Sequence, residues 1–442
     1  MRKRYGRAGR SRRRKQNQIL ASVHGVNLSQ ELGYVQLRRW LKQRGFWDLY
    51  LLPAHFSDTG RGLMTTKSLK TGDLIISLPG KCLLTTSTVL GSYMGEYIKR
   101  WKPQVSPLLA LCAFLISERH FGNKSLWKPY IDVLPKTYTC PVYFPEGILN
   151  LFPGPLCRNA QEQRSTIQEL YISSQPFFLS LQHLFEERVK DIFTHDALRW
   201  AWCSINTRTV YMKHPQSEFL SREPDVYALA PYLDLLNHSP GVEVTAAFNE
   251  TSQCYEIRTG RNCRRYEQVF ICYGPHDNQR LLLEYGFIAG GNPHSVVYID
   301  QDALQSCLLK EDKQTAQKLS FLLENNFLEN LTFGLDGPSW RLLTTLKVLC
   351  LGPNEFSCWK KVLLGASVSR ENDKMSLSLA ERLCCYLMDD NNKAMQKISH
   401  RKCNKLDELK DHLDLVESLR REELRILESS LETLKNLRSA IS

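Results

Sequence analysis

The residues most able to do chemistry in this chain lie in two short runs. The first, Asp234-Leu235-Leu236-Asn237-His238-Ser239, sets an acid, an amide and an imidazole directly after the apolar stretch Ala228-Leu229-Ala230-Pro231-Tyr232-Leu233. The second, Val269-Phe270-Ile271-Cys272-Tyr273-Gly274, reads as a strand that delivers a phenol to a glycine-flanked end, 35 residues past His238. A buried polar group without a partner costs on the order of 1–3 kcal/mol. Asn237 and His238 must therefore be satisfied, either by a bound cofactor or by packed backbone. Gly60-Arg61-Gly62-Leu63 opens the folded part of the chain, and glycine lets a backbone approach a ligand closely. Arg208, closing Asn206-Thr207-Arg208, offers a planar fork of donors suited to a carboxylate. Its plainer alternative is a surface arginine at the end of the helix that holds Trp200 and Trp202. Tyr285 and Phe287, in Glu284-Tyr285-Gly286-Phe287, read alone as packing residues of a short helix.

Taken in order and spacing, Gly-Arg-Gly-Leu, Asn-Thr-Arg, Asp-Leu-Leu-Asn-His-Ser, Cys-Tyr-Gly and Glu-Tyr-Gly-Phe resemble the motifs of SET-domain methyltransferases. The group they match most closely is that of the Rubisco large-subunit lysine methyltransferase, and the resemblance runs from about Leu37 to the C-terminus. It implies an α+β protein: a mostly β SET fold with a pseudoknot and a helical insertion, then an all-helical C-terminal domain resembling the group's substrate-binding domain. It implies S-adenosyl-L-methionine as cofactor and transfer of a methyl group to a protein lysine, on histone or non-histone proteins. Tyr273 matches the central hydroxyl, lying between sulfonium and amine and also touching the cofactor. The turn Arg61, Gly62 and Leu63 would border the cofactor's methionine portion, and Arg208 its carboxylate. Asn237 and His238 match the pair that holds its adenosyl and amino-acid parts. Tyr285 and Phe287 match positions that shape the lysine channel, and Asp234 faces that channel or braces its turn. Two rivals stand beside this reading: a protein-histidine methyltransferase, since the group has a histidine-modifying branch, and an inert scaffold bound to chromatin.

Composition narrows the setting. The formal net charge is +12, and residues 1–15 hold nine Lys and Arg with no acid, which leaves +3 for the rest. The body is nearly balanced, so a global nucleic-acid-binding surface is not expected. The basic tail reads as a solvated arm, open to roles in nuclear import or loose contact with nucleic acid or chromatin. Fourteen cysteines occur without a Cys-x-x-Cys, a scatter that reads as reduced and intracellular. Many SET enzymes carry a zinc-binding cysteine cluster after the catalytic tyrosine; nothing like it follows Tyr273, so no structural metal is expected. No secretory signal is expected, because the charged N-terminus is not followed by an apolar run, and no membrane span, because the longest apolar run, Leu108 to Ile116, falls far short of the roughly 20 residues a membrane helix needs. These features point to nucleus and cytosol.

Hydrophobic spacing supplies the elements. It predicts a helix over Glu31 to Leu51, a strand near Asp73 to Pro79, and helices from Thr88 through Ile205. Strands follow at Val242 to Asn249, Gln253 to Arg258 and Glu267 to Tyr273. A short helix, Gln279 to Tyr285, would be capped by Asn278 and closed by Gly286. The resulting domains are a tail at 1–30, a catalytic domain at 31–290 with an insertion at about 88–225, and helices at 291–442. In the last segment Leu406, Leu409, Leu413 and Val416 keep helical spacing, and Leu424, Leu427, Leu431 and Leu434 resume it after an offset. Packing within the C-terminal domain and a coiled-coil dimer both accommodate that pattern; the sequence sets no oligomeric state.

Overall fold

The structure, a computed structural model, describes residues 25–47, 50–308, 312–404 and 409–441. The basic segment 1–15 lies outside the described residues. The chain forms two compact units. The first runs up to Tyr138 and takes in Ser165–Pro275; the second consists of Thr139–Arg164 and the chain from His276 onward.

Among its described residues the first unit holds ten strands: β1 (Val26–Asn27), β2 (Leu51–Phe56), β3 (Gly60–Thr65), β4 (Leu74–Pro79), β5 (Thr209–Tyr211), β6 (Tyr227–Leu229), β7 (Asn237–His238), β8 (Val244–Asn249), β9 (Cys254–Thr259) and β10 (Gln268–Ile271). They form a five-stranded sheet in the order β1-β2-β3-β10-β7, a three-stranded sheet β4-β9-β8 and a ribbon β5-β6. β2 and β3 make a hairpin in which Leu51 faces Thr65 and Phe56 faces Gly60. Gly60 sits at φ +69, a left-handed conformation that glycine adopts without steric cost. β10 runs antiparallel to β3, with Val269 opposite Leu63, and parallel to β7 on its other edge. Leu63 and Val269 are fully buried there.

Between these strands the insertion supplies apolar helices. Pro107–Phe121 is buried nearly all round, and it starts where the Ser106 hydroxyl accepts from the Leu109 N–H, with Pro107 in the first turn. His195–Arg208 starts at Thr194, whose hydroxyl accepts from Ala197 N–H, and ends on Arg208. The first helix is shorter than its periodicity predicts. It spans Leu32–Gln43 and stops because Gly45, at φ +81, turns the chain out of helical register, leaving 51–56 free to become β2.

In the second unit, helices Thr315–Glu324, Trp340–Leu349, Arg370–Asn404 and Lys410–Ile441 dominate. They enclose a small antiparallel sheet of β11 (Val297–Tyr298), β12 (Thr332–Gly334) and β13 (Gly337–Pro338). Helical periodicity gives no hint of this sheet, because its strands are two or three residues long and turn at Leu335-Asp336. The offset in the last helix has a physical origin. Leu413, Val416 and Leu419 pack in a core with Phe144, Ile148, Leu149, Leu156 and Leu282, whereas Ile426, Leu427 and Leu434 pack in another with Leu346, Leu383 and Phe333. One helix thus serves two cores of its own unit. The first of these cores also draws 139–164 into the second unit, although the sequence places that segment inside the insertion. All fourteen cysteines are free thiols, and among the described residues no helix is long and apolar enough to cross a membrane.

Glu423 lies between the two cores and is 3% exposed. Gln279 Nε2 donates to its Oε1 at 2.7 Å, and Arg420 NH1 stands 4.0 Å from its other oxygen. Burial lifts its carboxyl to about 7, with Arg420 and Gln279 pulling the other way. The folded form therefore binds this proton more tightly than the unfolded chain does. Its stabilising contribution is complete below the ordinary carboxyl range and is lost as pH rises toward about 7. Glu423→Gln should remove that loss. The thermal midpoint of the variant relative to wild type is expected to rise between pH 5 and pH 8; midpoints that stay parallel across this range would contradict the burial account.

Candidate active site

The site is built around the short parallel pairing of β7 with β10, in which Asn237 faces Phe270 and His238 faces Ile271. Ser239 N–H continues the pairing to Ile271 O at 2.9 Å. β10 ends at Ile271, so Tyr273 lies two residues past the strand, where side-chain hydrogen bonds fix it. Its backbone N–H donates to His238 Nδ1 at 3.0 Å, and its hydroxyl donates to Leu236 O at 2.8 Å. The two rings lie 5.2 Å apart, tilted by 40°. Gly274 follows at φ +142, a backbone conformation that L side chains rarely adopt.

Asn237 turns the other way. Its Nδ2 donates to Arg61 O at 3.0 Å and Thr59 O at 3.4 Å, so the β2–β3 hairpin satisfies the amide donors. Gly62 allows this approach: a Cβ there would stand 2.8 Å from both Asn237 Nδ2 and Gln268 Nε2. Leu63 is buried in the sheet, and the Arg61 side chain reaches away to donate to Val133 O at 2.7 Å. Of the glycine-containing turn, the backbone rather than a side chain faces the Asn237 segment.

Arg208 and Asp234 form an ion pair. Arg208 NH1 donates to Asp234 Oδ2 and to Asp234 O, each at 3.2 Å. The Asp234 side chain is 3% exposed and that of Arg208 17%. Tyr130 donates its hydroxyl to the same Asp234 oxygen at 3.0 Å, and Tyr138 and Ser204 share a hydrogen bond of 2.7 Å nearby. Burial pushes the Asp234 carboxyl above the ordinary carboxylate range, and the Arg208 charge and Tyr130 hydrogen bond pull it back only in part. Burial also works against the charge on Arg208, but Asp234 and the phenols of Tyr138, Tyr130 and Tyr273 outweigh it, so the guanidinium holds its proton more firmly than usual. Just before this turn, Tyr232 adopts φ +76, held by a hydrogen bond from its hydroxyl to Leu51 O at 2.7 Å.

Tyr285 and Phe287 belong to the second unit. Tyr285 ends a π-helical turn, Leu281–Tyr285, that continues the helical turn Asn278–Arg280; Gly286 closes it at φ +78. Asp277, not Asn278, is the cap: its side chain accepts from Arg280 N–H. Asn278 is buried instead and pairs with both backbone groups of Ala289. A side chain at Gly286 would meet Thr139 at 2.7 Å. The Tyr285 ring lies 6.1 Å from His276 and 6.4 Å from Phe287, and burial raises its phenol above the ordinary value.

Within the first unit the fold thus gathers Arg61, Gly62, Asn237, His238 and Tyr273 around one strand pairing, with Arg208 and Asp234 on the turn that precedes it. Sequence reasoning missed Tyr130, Tyr138, Thr59 and Gln268. Tyr130 carried one signal, an aromatic directly after Pro129 in a short loop, but nothing in the sequence links it to a partner 104 residues away. Among the described residues no group of three or more His, Cys, Asp or Glu is placed to hold a metal ion.

Known proteins share this architecture. The SET domain family matches residues 60–274, and the Rubisco LSMT substrate-binding family matches residues 309–427. The chain belongs to the SET-domain methyltransferase family. It is 55% identical to SET domain-containing protein 4 of Homo sapiens and 52% identical to that of Mus musculus, in each case over 442 residues and the full length of both chains. It is 27% identical to the actin-histidine N-methyltransferase of Homo sapiens over 361 residues, which are 80% of this chain and 58% of that one. A crystal structure of the SET domain of LSMT bound to lysine and AdoHcy shares the fold, with a TM-score of 0.65 and 21% identity over 93% of each chain.

Gly62→Ala tests the close approach. The new methyl must displace the Asn237 or Gln268 amide, and a destabilisation of about 1–3 kcal/mol is expected from overpacking and the lost hydrogen bond. Urea unfolding measures it; a variant as stable as wild type would show that the hairpin and Asn237 are not locked together.

Proposed function

We propose that this chain is an S-adenosyl-L-methionine-dependent protein-lysine N-methyltransferase acting on histone or non-histone proteins. The observation that carries the reading is the placement of Tyr273, whose hydroxyl and backbone are each fixed by the Leu236–His238 segment. The residues present suit the cofactor. Arg208 uses one terminal nitrogen on Asp234, while its Nε is buried without a hydrogen-bond partner and is chemically suited to a carboxylate. Asn237, His238 and the backbone of Arg61, Gly62 and Leu63 would hold the remainder. When bound, the cofactor supplies an electrophilic methyl group on a sulfonium.

The protein's own task is orientation and desolvation. A lysine amine in water has a pKa of about 10.4 and must be neutral to attack, and an apolar channel favours the neutral amine. Tyr273 would align the amine, with Asp234 bordering its channel. Residues 309–427, which match a substrate-binding family, support a protein substrate. The actin-histidine N-methyltransferase relatives favour a second reading, transfer to a histidine. The nine basic residues of 1–15 support work in the nucleus as well as the cytosol, with loose contact to nucleic acid or chromatin.

Labelled-methyl transfer to nuclear and cytosolic extracts, with the modified residue mapped by mass spectrometry, separates these outcomes. A modified lysine is expected; a modified histidine selects the second reading, and no transfer with intact cofactor binding would leave an inert scaffold. Tyr273→Phe should keep the thermal midpoint and slow single-turnover transfer by on the order of 100-fold, the scale of a misaligned reacting pair. Transfer at the wild-type rate would remove Tyr273 from the catalytic role.

A further inference from the structure

Tyr130 lies in the short helical turn Lys128–Ile131 of the insertion and is fully buried. Burying a phenol without a partner is costly, and its partner here is the carboxylate of the Asp-Leu-Leu-Asn-His-Ser run. Asp234 Oδ2 receives both Tyr130 and Arg208, so the carboxylate is clamped from two elements, and Arg208 also holds the Asp234 carbonyl. Asp234 belongs to the single 3-10 turn Leu233–Leu235. The next residue, Leu236, presents the carbonyl that takes the Tyr273 hydroxyl, and His238 takes the Tyr273 N–H. The path from Tyr130 to the reactive phenol is therefore one side-chain hydrogen bond, one turn of chain and one further hydrogen bond.

We propose that Tyr130 is a positioning residue for Tyr273: by fixing Asp234 it sets the turn whose Leu236 carbonyl orients the Tyr273 hydroxyl. This rests on the reading of Tyr273 as the central hydroxyl, but its structural half is testable without turnover. Tyr130 makes no step of the reaction. It fixes the direction of an acceptor, and a hydroxyl bonded to a rigid acceptor has a defined orientation where a loose one does not.

Tyr130→Phe keeps ring and volume and removes only the hydrogen bond. The full-length chain labelled with [13Cζ]tyrosine reports each phenol by NMR, and the Tyr273 signal is identified by its loss in Tyr273→Phe. In folded Tyr130→Phe the Tyr273 signal should move or broaden. In Tyr255→Phe, which removes a hydroxyl bonded to Tyr211 O elsewhere in the same unit, it should stay in place. Wherever wild type shows methyl transfer, Tyr130→Phe should also lower kcat by about tenfold, equivalent to about 1.4 kcal/mol of alignment, with KM for S-adenosyl-L-methionine changed by less than about twofold, because only the aligned state loses stabilisation. An unmoved Tyr273 signal in folded Tyr130→Phe overturns the proposal, as does an equal displacement in Tyr255→Phe. Should Tyr130→Phe fail to fold, the isosteric Asp234→Asn takes its place, with the same displacement expected and an unmoved signal again decisive against the proposal. Absence of methyl transfer in wild type together with a displaced signal would count against the proposed function while leaving the positioning role standing.

Discussion

Three consecutive residues, Leu236 to His238, tie the site together. Leu236 gives its carbonyl to the Tyr273 hydroxyl, Asn237 reaches across to the carbonyls of Arg61 and Thr59, and His238 accepts the Tyr273 N–H on Nδ1. The underlying strand pairing is only two residue pairs long, too short to hold an element by ladder bonds alone. Side chains complete the work that a longer sheet would do with backbone. An amide and an imidazole therefore sit inside an otherwise apolar stretch, since a Leu or Val at either position could not bond to the neighbouring backbone. Gly62 belongs to the same arrangement, because any side chain there would push the Asn237 amide off the hairpin.

The turn leading into this segment is held under strain. Tyr232 is a bulky residue at φ +76, a conformation that costs about 1–3 kcal/mol. Its hydroxyl bond to Leu51 and an edge-on contact with Phe46 at 5.7 Å offset that cost. Immediately beyond it comes the ion pair of Asp234 with Arg208. Buried pairs add little net stability, since desolvation consumes most of their attraction. Their value here is directional: with Tyr130 they determine where the Leu233–Leu235 turn points. In the second unit, the π-helical turn ending at Tyr285 has a comparable local character; such turns recur at functional sites and re-aim the side chain that follows.

The sequence displayed the parts of the site whose signal is local. A polar island in an apolar run marked Asn237 and His238, a strand ending in a phenol marked Tyr273, and Gly60 and Gly62 marked a close approach. Signals spread along the chain were not legible. Tyr130 meets Asp234 across 104 residues, and no periodicity relates them. Strands of two or three residues, β7 and β11 to β13 among them, are too short to show alternation. Nor could spacing reveal that the last helix serves two cores, although the offset in its leucines was its visible trace. Arg208 was read for its fork of donors; that Asp234 takes one of its nitrogens became apparent only in three dimensions.

The central claim is that His238 accepts the Tyr273 N–H on Nδ1, which obliges the neutral ring to carry its proton on Nε2. Long-range proton–nitrogen correlation NMR of 15N-histidine-labelled protein, with His238 assigned through His238→Gln, reads that tautomer directly. The account predicts an unprotonated Nδ1 and a protonated Nε2 in the folded protein at neutral pH. A His238 ring protonated on Nδ1 would mean that this bond does not exist, and with it would go one of the two links that hold Tyr273 in place.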